Sequence, residues 1–140
     1  MGLDQYAYAV MPHKENTDFS FEQINDDGDE SYRKIAQWRK HPDLHGWMES
    51  LFNKKADEKN YEGKPDSFGK GRSFNCQPLR MTFQDLMDLK KAVINAKLPH
   101  TVGFFFGESM PEDREDDLKF IEDAIKAIIE GMEIYYDSWW

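Results

Sequence analysis

The chain has 140 residues, of which 39% are hydrophobic, 14% aromatic and 32% charged, and its formal net charge is −9. This length fits one domain, 1–140, and a negative field of that size repels phosphate backbones, so we expect no nucleic-acid partner. A single cysteine, Cys76, excludes an internal disulfide. With no apolar run of the roughly 18–20 residues that cross a bilayer and no signal-peptide pattern, the sequence predicts a cytoplasmic protein that does not enter membranes.

The first segment, "LDQYAYAV" over residues 3–10, alternates in a way that is typical of a strand. Its predicted common face holds Tyr6, Tyr8 and Val10. Residues 11–30 form a long polar connection that contains an acidic run over 15–30 and ends in the turn sequence "INDDGDE". We therefore predict a strand followed by a long loop.

A short helix is predicted next, from a Ser31 cap to about residue 40, with Ile35 and Trp38 facing inward. Pro42 ends it, because proline lacks the amide donor that a helix interior needs. A second helix over about 43–57 follows. Its apolar residues recur at the spacing of a core-facing stripe, namely Leu44, Trp47, Met48, Leu51 and Phe52.

A second long polar loop is predicted over residues 58–73, where glycines and Pro65 interrupt the pattern. Residues 74–81, "FNCQPLRM", are a plausible strand, and Pro78 favours an edge position in the sheet. The strand leads into a helix that begins at a capping box formed by Thr82 and Asp85 and stops before Pro99. The inward residues of this helix are predicted to be Phe83, Leu86, Leu89, Val93 and Ile94.

Residues 98–107, "LPHTVGFFFG", are predicted to be an apolar loop or short strand. Ser109 with Glu112 predicts the cap of a last helix that ends at Gly131, with acidic residues near its positive end. Its predicted buried stripe comprises Leu118, Ile121, Ile125, Ile128 and Ile129. The final "MEIYYDSWW" alternates as an aromatic strand.

These elements predict an α+β domain in which about four helices cover a small antiparallel or mixed sheet. The first and last strands carry most of the tyrosines and tryptophans. We therefore expect these N- and C-terminal strands to pair in the middle of the sheet.

Histidines provide the candidate ligand-binding residues. His41, His45 and Glu49 are four residues apart, and imidazole with carboxylate is zinc chemistry, but Pro42 follows His41 and the HExxH order is absent. We therefore predict no metal, and expect His41 or Asp43 to help cap the helix. A ligand pocket remains an alternative, with His41, His45, His100, Lys70 and Arg72 as its candidate residues.

Templates for known active sites fail elsewhere in the chain. The glycine-rich stretch "GKPDSFGKGRS" has the wrong spacing for a phosphate-binding loop, and "NDDGDE" has Lys34 where a calcium loop needs its last acid. Cys76 lacks the sequence context of a nucleophile. We therefore predict no cofactor and leave the catalytic residues unknown.

The closing "YYDSWW" places two tryptophans where a chain usually frays in water. Alternation along a strand points Trp139 and Trp140 to opposite faces. Tryptophan and tyrosine are favoured anchors of protein interfaces, so Trp139, Trp140 and Tyr136 are the candidate interaction residues.

Several stretches resemble a family of small bacteriophage proteins, notably of marine and cyanobacterial phages: "MGLDQYAY", "WRKHPDLHGWM", "LPHTVGFFFG", "DLKFIEDAIKAIIEG" and "YYDSWW". Some members carry a phosphoglycerate kinase label, but this chain is far too short for that two-domain enzyme and lacks its nucleotide-binding glycine pattern. The resemblance implies a protein of the infected bacterial cytoplasm and carries over no catalytic residue.

Three functions follow as hypotheses. The first is a noncatalytic accessory protein that binds a protein partner or itself, as a homodimer, through its aromatic C-terminal strand. The second is a small enzyme or a ligand- or metal-binding protein with a histidine-containing pocket. The third is an acidic DNA mimic that inhibits a nucleic-acid enzyme.

Overall fold

The computed structural model describes residues 2–65, 71–102 and 107–140. In chain order its elements are β1 (Asp4–Val10), β2 (Tyr32–Arg39), α1 (Pro42–Glu58), β3 (Leu79–Met81), α2 (Phe83–Ile94), α3 (Asp113–Ile129) and β4 (Glu133–Trp139). The strands form one antiparallel sheet in the order β2-β1-β4-β3. The α+β class and the central pairing of the first and last strands are confirmed. The described residues contain three helices rather than about four.

The helices pack on one face of this sheet. Alternation along the strands turns Ala7 and Ala9 of β1 and Ile134 and Tyr136 of β4 toward the helices, and all four are fully buried. The small alanines leave room for rings and aliphatic chains that the helices contribute to the same core, namely Leu44, Met48, Phe52, Leu86, Leu89, Val93, Phe120 and Ile121.

The prediction of a helix over 31–40 is wrong, because this segment is the edge strand β2. Ala36 pairs with Ala7 and Lys34 with Tyr8, which leaves Ile35 as the extra residue of a β-bulge. The bulge breaks the two-residue alternation and brings Ile35 and Trp38 to a spacing that resembles one helical turn. Ser31 caps no helix; its hydroxyl donates a hydrogen bond to the carbonyl of Glu22.

Helix α1 begins at Pro42, whose missing amide hydrogen costs nothing in a first turn. Of its predicted stripe, Leu44, Met48 and Phe52 are buried, whereas Trp47 and Leu51 are only partly buried. Helix α2 has the predicted capping box, in which Thr82 Oγ1 accepts from the Asp85 amide and Asp85 Oδ2 accepts from the Thr82 amide. The ends of its predicted stripe are exposed, since Phe83 and Ile94 lie on the outer side of α2.

The buried face of α3 differs from the predicted one. Its core residues are Asp117, Phe120, Ile121, Ala124 and Ala127, whereas Ile129 is 79% exposed. Leu118, Ile125 and Ile128 are only partly buried at the margin. The buried face of α3 is thus shifted by about one residue from the predicted one. The small residues Ala124 and Ala127 are buried, and the adjacent, larger Ile125 and Ile128 lie at the margin.

Segments outside the helices and strands behave largely as predicted. Residues 11–30 form a long loop, which Phe21 fixes to the outer face of the sheet through ring contacts with Tyr8, Tyr32 and Tyr135. Of the predicted strand 74–81 only Leu79–Met81 is extended, and it is an edge strand as Pro78 indicated. Parts of the predicted stretches 58–73 and 98–107, namely 66–70 and 103–106, lie outside the described residues.

Candidate functional site

The three candidate histidines do not meet at one point. His41, immediately before α1, and His45, within it, are both buried, whereas the side chain of His100 is 86% exposed with Nδ1 4.0 Å from Asp43. Arg72 is occupied by structural contacts, since its guanidinium donates to the carbonyl of Tyr61 and pairs with Asp57. Lys70 lies outside the described residues.

His41 instead joins two residues from the beginning of α3. Its Nδ1 lies 2.7 Å from Ser109 Oγ, and its Nε2 lies 2.9 Å from Asp117 Oδ2. Ser109 stands four residues before α3, and Asp117 lies on the buried face of that helix. The result is a continuous chain of hydroxyl, imidazole and carboxylate.

The hydrogen bonds of this chain are compatible with the following placement of protons. Ser109 Oγ accepts from the backbone amide of Asp43, 3.0 Å away, so its own hydrogen can be donated to His41 Nδ1. In this tautomer the imidazole donates from Nε2 to Asp117. This is the proton arrangement of a Ser–His–Asp triad, with the two ring nitrogens exchanged relative to the serine proteases.

Asp117 is an acid in a dry environment. Burial raises the pKa of its carboxyl group, while the hydrogen bond and charge of His41 lower that pKa in part. The side chain of Asp113 approaches the same imidazole, with its Oδ2 3.5 Å from His41 Nδ1. Two carboxylates therefore stand ready to stabilise His41 when its imidazole takes up a proton.

The chain of three residues opens on a cleft of about 450 Å³ between the starts of α1 and α3 and the end of α2. One wall is apolar, formed by Val93, Leu98 and Met110. The polar wall contains His41, Asp43, Ser109, Asp113, Arg114 and Asp117. Apolar walls with a few converging polar groups are typical of small-molecule sites.

Gln5 of β1 fixes the backbone that carries His41. Its Nε2 donates to the His41 carbonyl at 3.0 Å, and its Oε1 accepts from the His41 amide at 2.9 Å. The same Nε2 donates to the hydroxyl of Tyr136 at 3.0 Å, and that hydroxyl bonds His45 Nδ1 at 2.9 Å. The imidazole of His41 is thus held through both its side chain and its backbone.

The two capping predictions near this site are wrong. The His41 side chain caps nothing, and Asp43 Oδ1 accepts from the Thr101 amide rather than from α1. Ser109 does not cap α3, whose N-cap residue Glu112 makes no side-chain cap bond. Ser109 caps α1 instead, from 66 positions away in the sequence.

His45 has a structural environment. It packs against Phe74 and Trp140, with ring centroids 5.1 and 4.7 Å away. Burial lowers the pKa of its imidazole to about 4, so His45 is neutral at pH 7. It is not among the described residues that line the cleft.

The aromatic C-terminal residues occupy three environments. Tyr136 is fully buried and therefore does not reach the surface. Trp140 is half-buried, and its backbone is held by Asn75, which donates to its carbonyl and accepts from its amide at 3.0 Å. Trp139 is 60% exposed on the outer face of the sheet.

The cleft residues that the sequence analysis missed are Ser109 and Asp117. Both were assigned to the beginning of α3, one as its cap and one as part of its acidic first turns. One signal was available for Asp117, which precedes Phe120, Ile121 and Ala124 by three, four and seven residues. Nothing in the local sequence links Ser109 to His41.

Three further findings, on metal-binding clusters, on membrane-spanning helices and on similarity to known proteins, leave the function open. Within the described ranges, no cluster of three or more His, Cys, Asp or Glu side chains has a metal-binding arrangement. No helix of the described segments is both long and apolar enough to cross a bilayer. The chain matches no protein-family model, no curated protein and no solved structure.

Proposed function

We propose that this chain is a small hydrolytic enzyme in which His41 is the general base. The observation that supports it is the hydrogen-bonded chain from Ser109 through His41 to Asp117 at the edge of an open cleft. An imidazole that carries a proton away from an attacking hydroxyl group typically accelerates a reaction by about 10²–10⁴-fold.

The surroundings of His41 fit this role. In the tautomer described above, Nδ1 accepts from Ser109, which lines the cleft, while Asp117 accepts from the opposite nitrogen and stabilises the imidazolium ion that forms. The bidentate contact of Gln5 with the His41 backbone keeps the ring in place without using either ring nitrogen. The base is thus oriented before a substrate arrives, which is what efficient proton transfer requires.

The test is hydrolysis of p-nitrophenyl acetate and butyrate by the purified chain and its variants. We expect His41→Asn to lower kcat/KM by about 100-fold or more, and Asp117→Asn to lower it by a comparable factor. His13→Asn is the matched control, because His13 is a partly exposed imidazole of the loop after β1 that does not line the cleft, and any unspecific imidazole reaction would depend on it as well.

A variant of the cleft wall covers the case in which His41→Asn fails to fold. Met110 is 56% exposed and lines the cleft, so Met110→Trp fills the cleft with little effect on the core. We expect this variant to lose most of the hydrolysis. Full activity in a folded His41→Asn variant, or in Met110→Trp, contradicts the proposal.

A second candidate function is noncatalytic association through the outer face of the sheet. It is supported by the exposure of Trp139. Trp139 pairs with Asp4 of β1 and lies diagonally opposite Tyr6 of the same strand. We propose that a second copy of the chain binds to this face of the sheet. Trp139→Ala then shifts a dimer to a monomer in sedimentation velocity, while Ile129→Ala, which changes an even more exposed apolar residue on α3, does not.

Single substitutions test self-association better than removal of both terminal tryptophans would. Trp140 contacts His45, and Asn75 binds its backbone, so its loss would disturb the core. A monomeric wild-type chain at high concentration contradicts self-association and leaves the hydrolase proposal untouched.

We further propose that the protein works in the cytoplasm of an infected bacterial cell as a phage-type accessory protein. The resemblance of "WRKHPDLHGWM" and "YYDSWW" to small phage proteins supports this, as does a single exposed thiol, Cys76, which suits a reducing compartment.

A further inference from the structure

We propose that Ser109 is the covalent nucleophile of this hydrolase and that its substrates are neutral carboxylic esters with an apolar acyl group. This inference depends on the proposed function, because it takes His41 as the base that activates the serine. It adds an acyl-enzyme intermediate, a substrate class and a place for each half of the substrate.

The position of Ser109 supports the nucleophilic role. Its Oγ lies 2.7 Å from the proton-accepting Nδ1 of His41, within the distance that a nucleophile and its base require. The side chain is only partly buried and lines the cleft, so a substrate can reach it. This role requires both a neighbouring base and access for the substrate. Ser138, by comparison, is only 1% exposed.

The beginning of α1 supplies electrostatic support. Ser109 Oγ accepts a hydrogen bond from the amide of Asp43, the second residue of that helix. The N-terminus of a helix carries partial positive charge, which favours negative charge on an oxygen placed there. As the proton leaves for His41, this amide stabilises the charge that develops on Oγ.

Ser109 also lies between two cavities. The apolar-walled cleft described above is on one side, and a second cavity of about 430 Å³, lined by His100, Thr101 and Glu108 among the described residues, is on the other. Asp43 and Ser109 line both. The apolar wall of Val93, Leu98 and Met110 fits an acyl chain, and the second cavity, which has polar and apolar lining residues, fits the departing alcohol.

Charge selects among possible ester substrates. The carboxylates of Asp43, Asp113 and Glu108 line the two cavities and repel phosphate and carboxylate groups. Arg114 lines the first cavity as a single cation. A neutral ester is therefore favoured over a phosphoester or a substrate with a free acid group.

The reaction proceeds in two steps, acylation of Ser109 and hydrolysis of the acyl-serine. Ser109 Oγ forms a bond to the ester carbonyl carbon while its proton moves to His41 Nδ1, and the alcohol leaves with that proton as its bond to the carbonyl breaks. Water then attacks the acyl-serine, passes a proton to His41, and the serine regains that proton as the carboxylic acid departs.

The experiment labels the unaltered chain with a fluorophosphonate ester and locates the adduct by intact-mass and peptide mass spectrometry. We expect one adduct per chain, on Ser109. Ser109→Ala should abolish labelling, Asp117→Asn should slow it by about 100-fold, and Ser50→Ala, an exposed serine on α1, should leave it unchanged. Mapping the adduct on the wild type does not depend on any variant folding.

Two outcomes separate this inference from the proposed function. If His41→Asn loses ester hydrolysis while Ser109→Ala keeps it and no adduct forms on Ser109, water is the nucleophile and the inference about Ser109 is overturned alone. If His41→Asn retains hydrolysis, both proposals are overturned. An adduct on a different serine also overturns the inference.

Discussion

The hydroxyl of Tyr136 connects side chains that lie far apart in the sequence. It accepts a hydrogen bond from Gln5 and shares one with Nδ1 of His45, and all three residues are buried. Burial lowers the pKa of His45 to about 4, so its imidazole is neutral at pH 7. The neutrality of His45 therefore makes folding sensitive to acid.

The first prediction concerns this acid sensitivity. The pKa of His45 is about 4 in the folded chain and near 6.5 when unfolded, so between these values the unfolded chain binds the proton preferentially. His45 therefore lowers the free energy of unfolding by roughly 3 kcal/mol as the pH falls from 7 to 4. In urea titrations at several pH values, His45→Asn should lose this contribution.

Asp137 provides the matched control, because it acts in the opposite direction. Burial raises the pKa of its carboxyl group to about 6, so the folded chain binds that proton more strongly and its contribution to stability falls as the pH rises through 4 to 6. Asp137→Asn should make the acid destabilisation steeper. Parallel pH profiles for the wild type and His45→Asn contradict the prediction.

At the scale of the helix, Gly46 of α1 is required by a close approach. A Cβ atom at this position would lie 1.9 Å from Thr101 Oγ1. The segment around Thr101 is held in place, because its amide donates to Asp43 and its hydroxyl donates to the Pro99 carbonyl. The "HGWM" part of the sequence thus marks a packed crossing between α1 and the segment before α3.

The second prediction follows from this crossing. Alanine favours a helix over glycine by about 1 kcal/mol, but overpacking costs about 1–3 kcal/mol, so we expect Gly46→Ala to lower the free energy of unfolding. Thr101→Ala removes the nearest atom, so the double variant should recover part of the loss in urea unfolding. A Gly46→Ala variant that is more stable than the wild type contradicts the clash.

Elements with undisturbed periodicity could be predicted from the sequence, and those with an irregularity could not. Helix α1 shows its full stripe from Leu44 to Phe52, and its predicted range was confirmed within one residue at each end. Strand β2 contains a bulge at Ile35, and a bulge removes the alternation on which strand prediction depends.

The candidate site was less predictable than the fold. The sequence made His41 a ligand candidate through its spacing from His45, whereas the structure places its imidazole with a different group of residues. Its contacts with Ser109 and Asp117 span 68 and 76 positions, and only tertiary packing of α3 against α1 and the sheet creates them. A sequence pattern carries no record of such a distance.

At the scale of the whole molecule, β4 lies between β1 and β3 and joins β3 to the rest of the sheet. It contributes Ile134, Tyr135 and Tyr136, all fully buried. The third prediction is that a chain ending at Gly131 does not fold cooperatively, since it exposes both neighbouring strands and much of the core. The measurement is amide dispersion in a ¹H–¹⁵N NMR spectrum together with urea unfolding.

Trp139→Ala is the control for this truncation, because it changes an exposed side chain of β4 and keeps the strand. We expect its spectrum to remain dispersed and its unfolding to remain cooperative. A truncated chain with a dispersed spectrum would show that the remaining strands suffice.

The pairing of Asp4 with Trp139 has a consequence for synthesis in the cell. Strand β1 leaves the ribosome long before β4 has been translated. The edge of β1 that pairs with β4 therefore stays unpaired while the intervening residues are synthesised. The central pairing of the sheet thus forms only after β4 has been translated. The same adjacency allows a short peptide linker to join the two ends, so that new ends can be opened in the polar loop between β1 and β2.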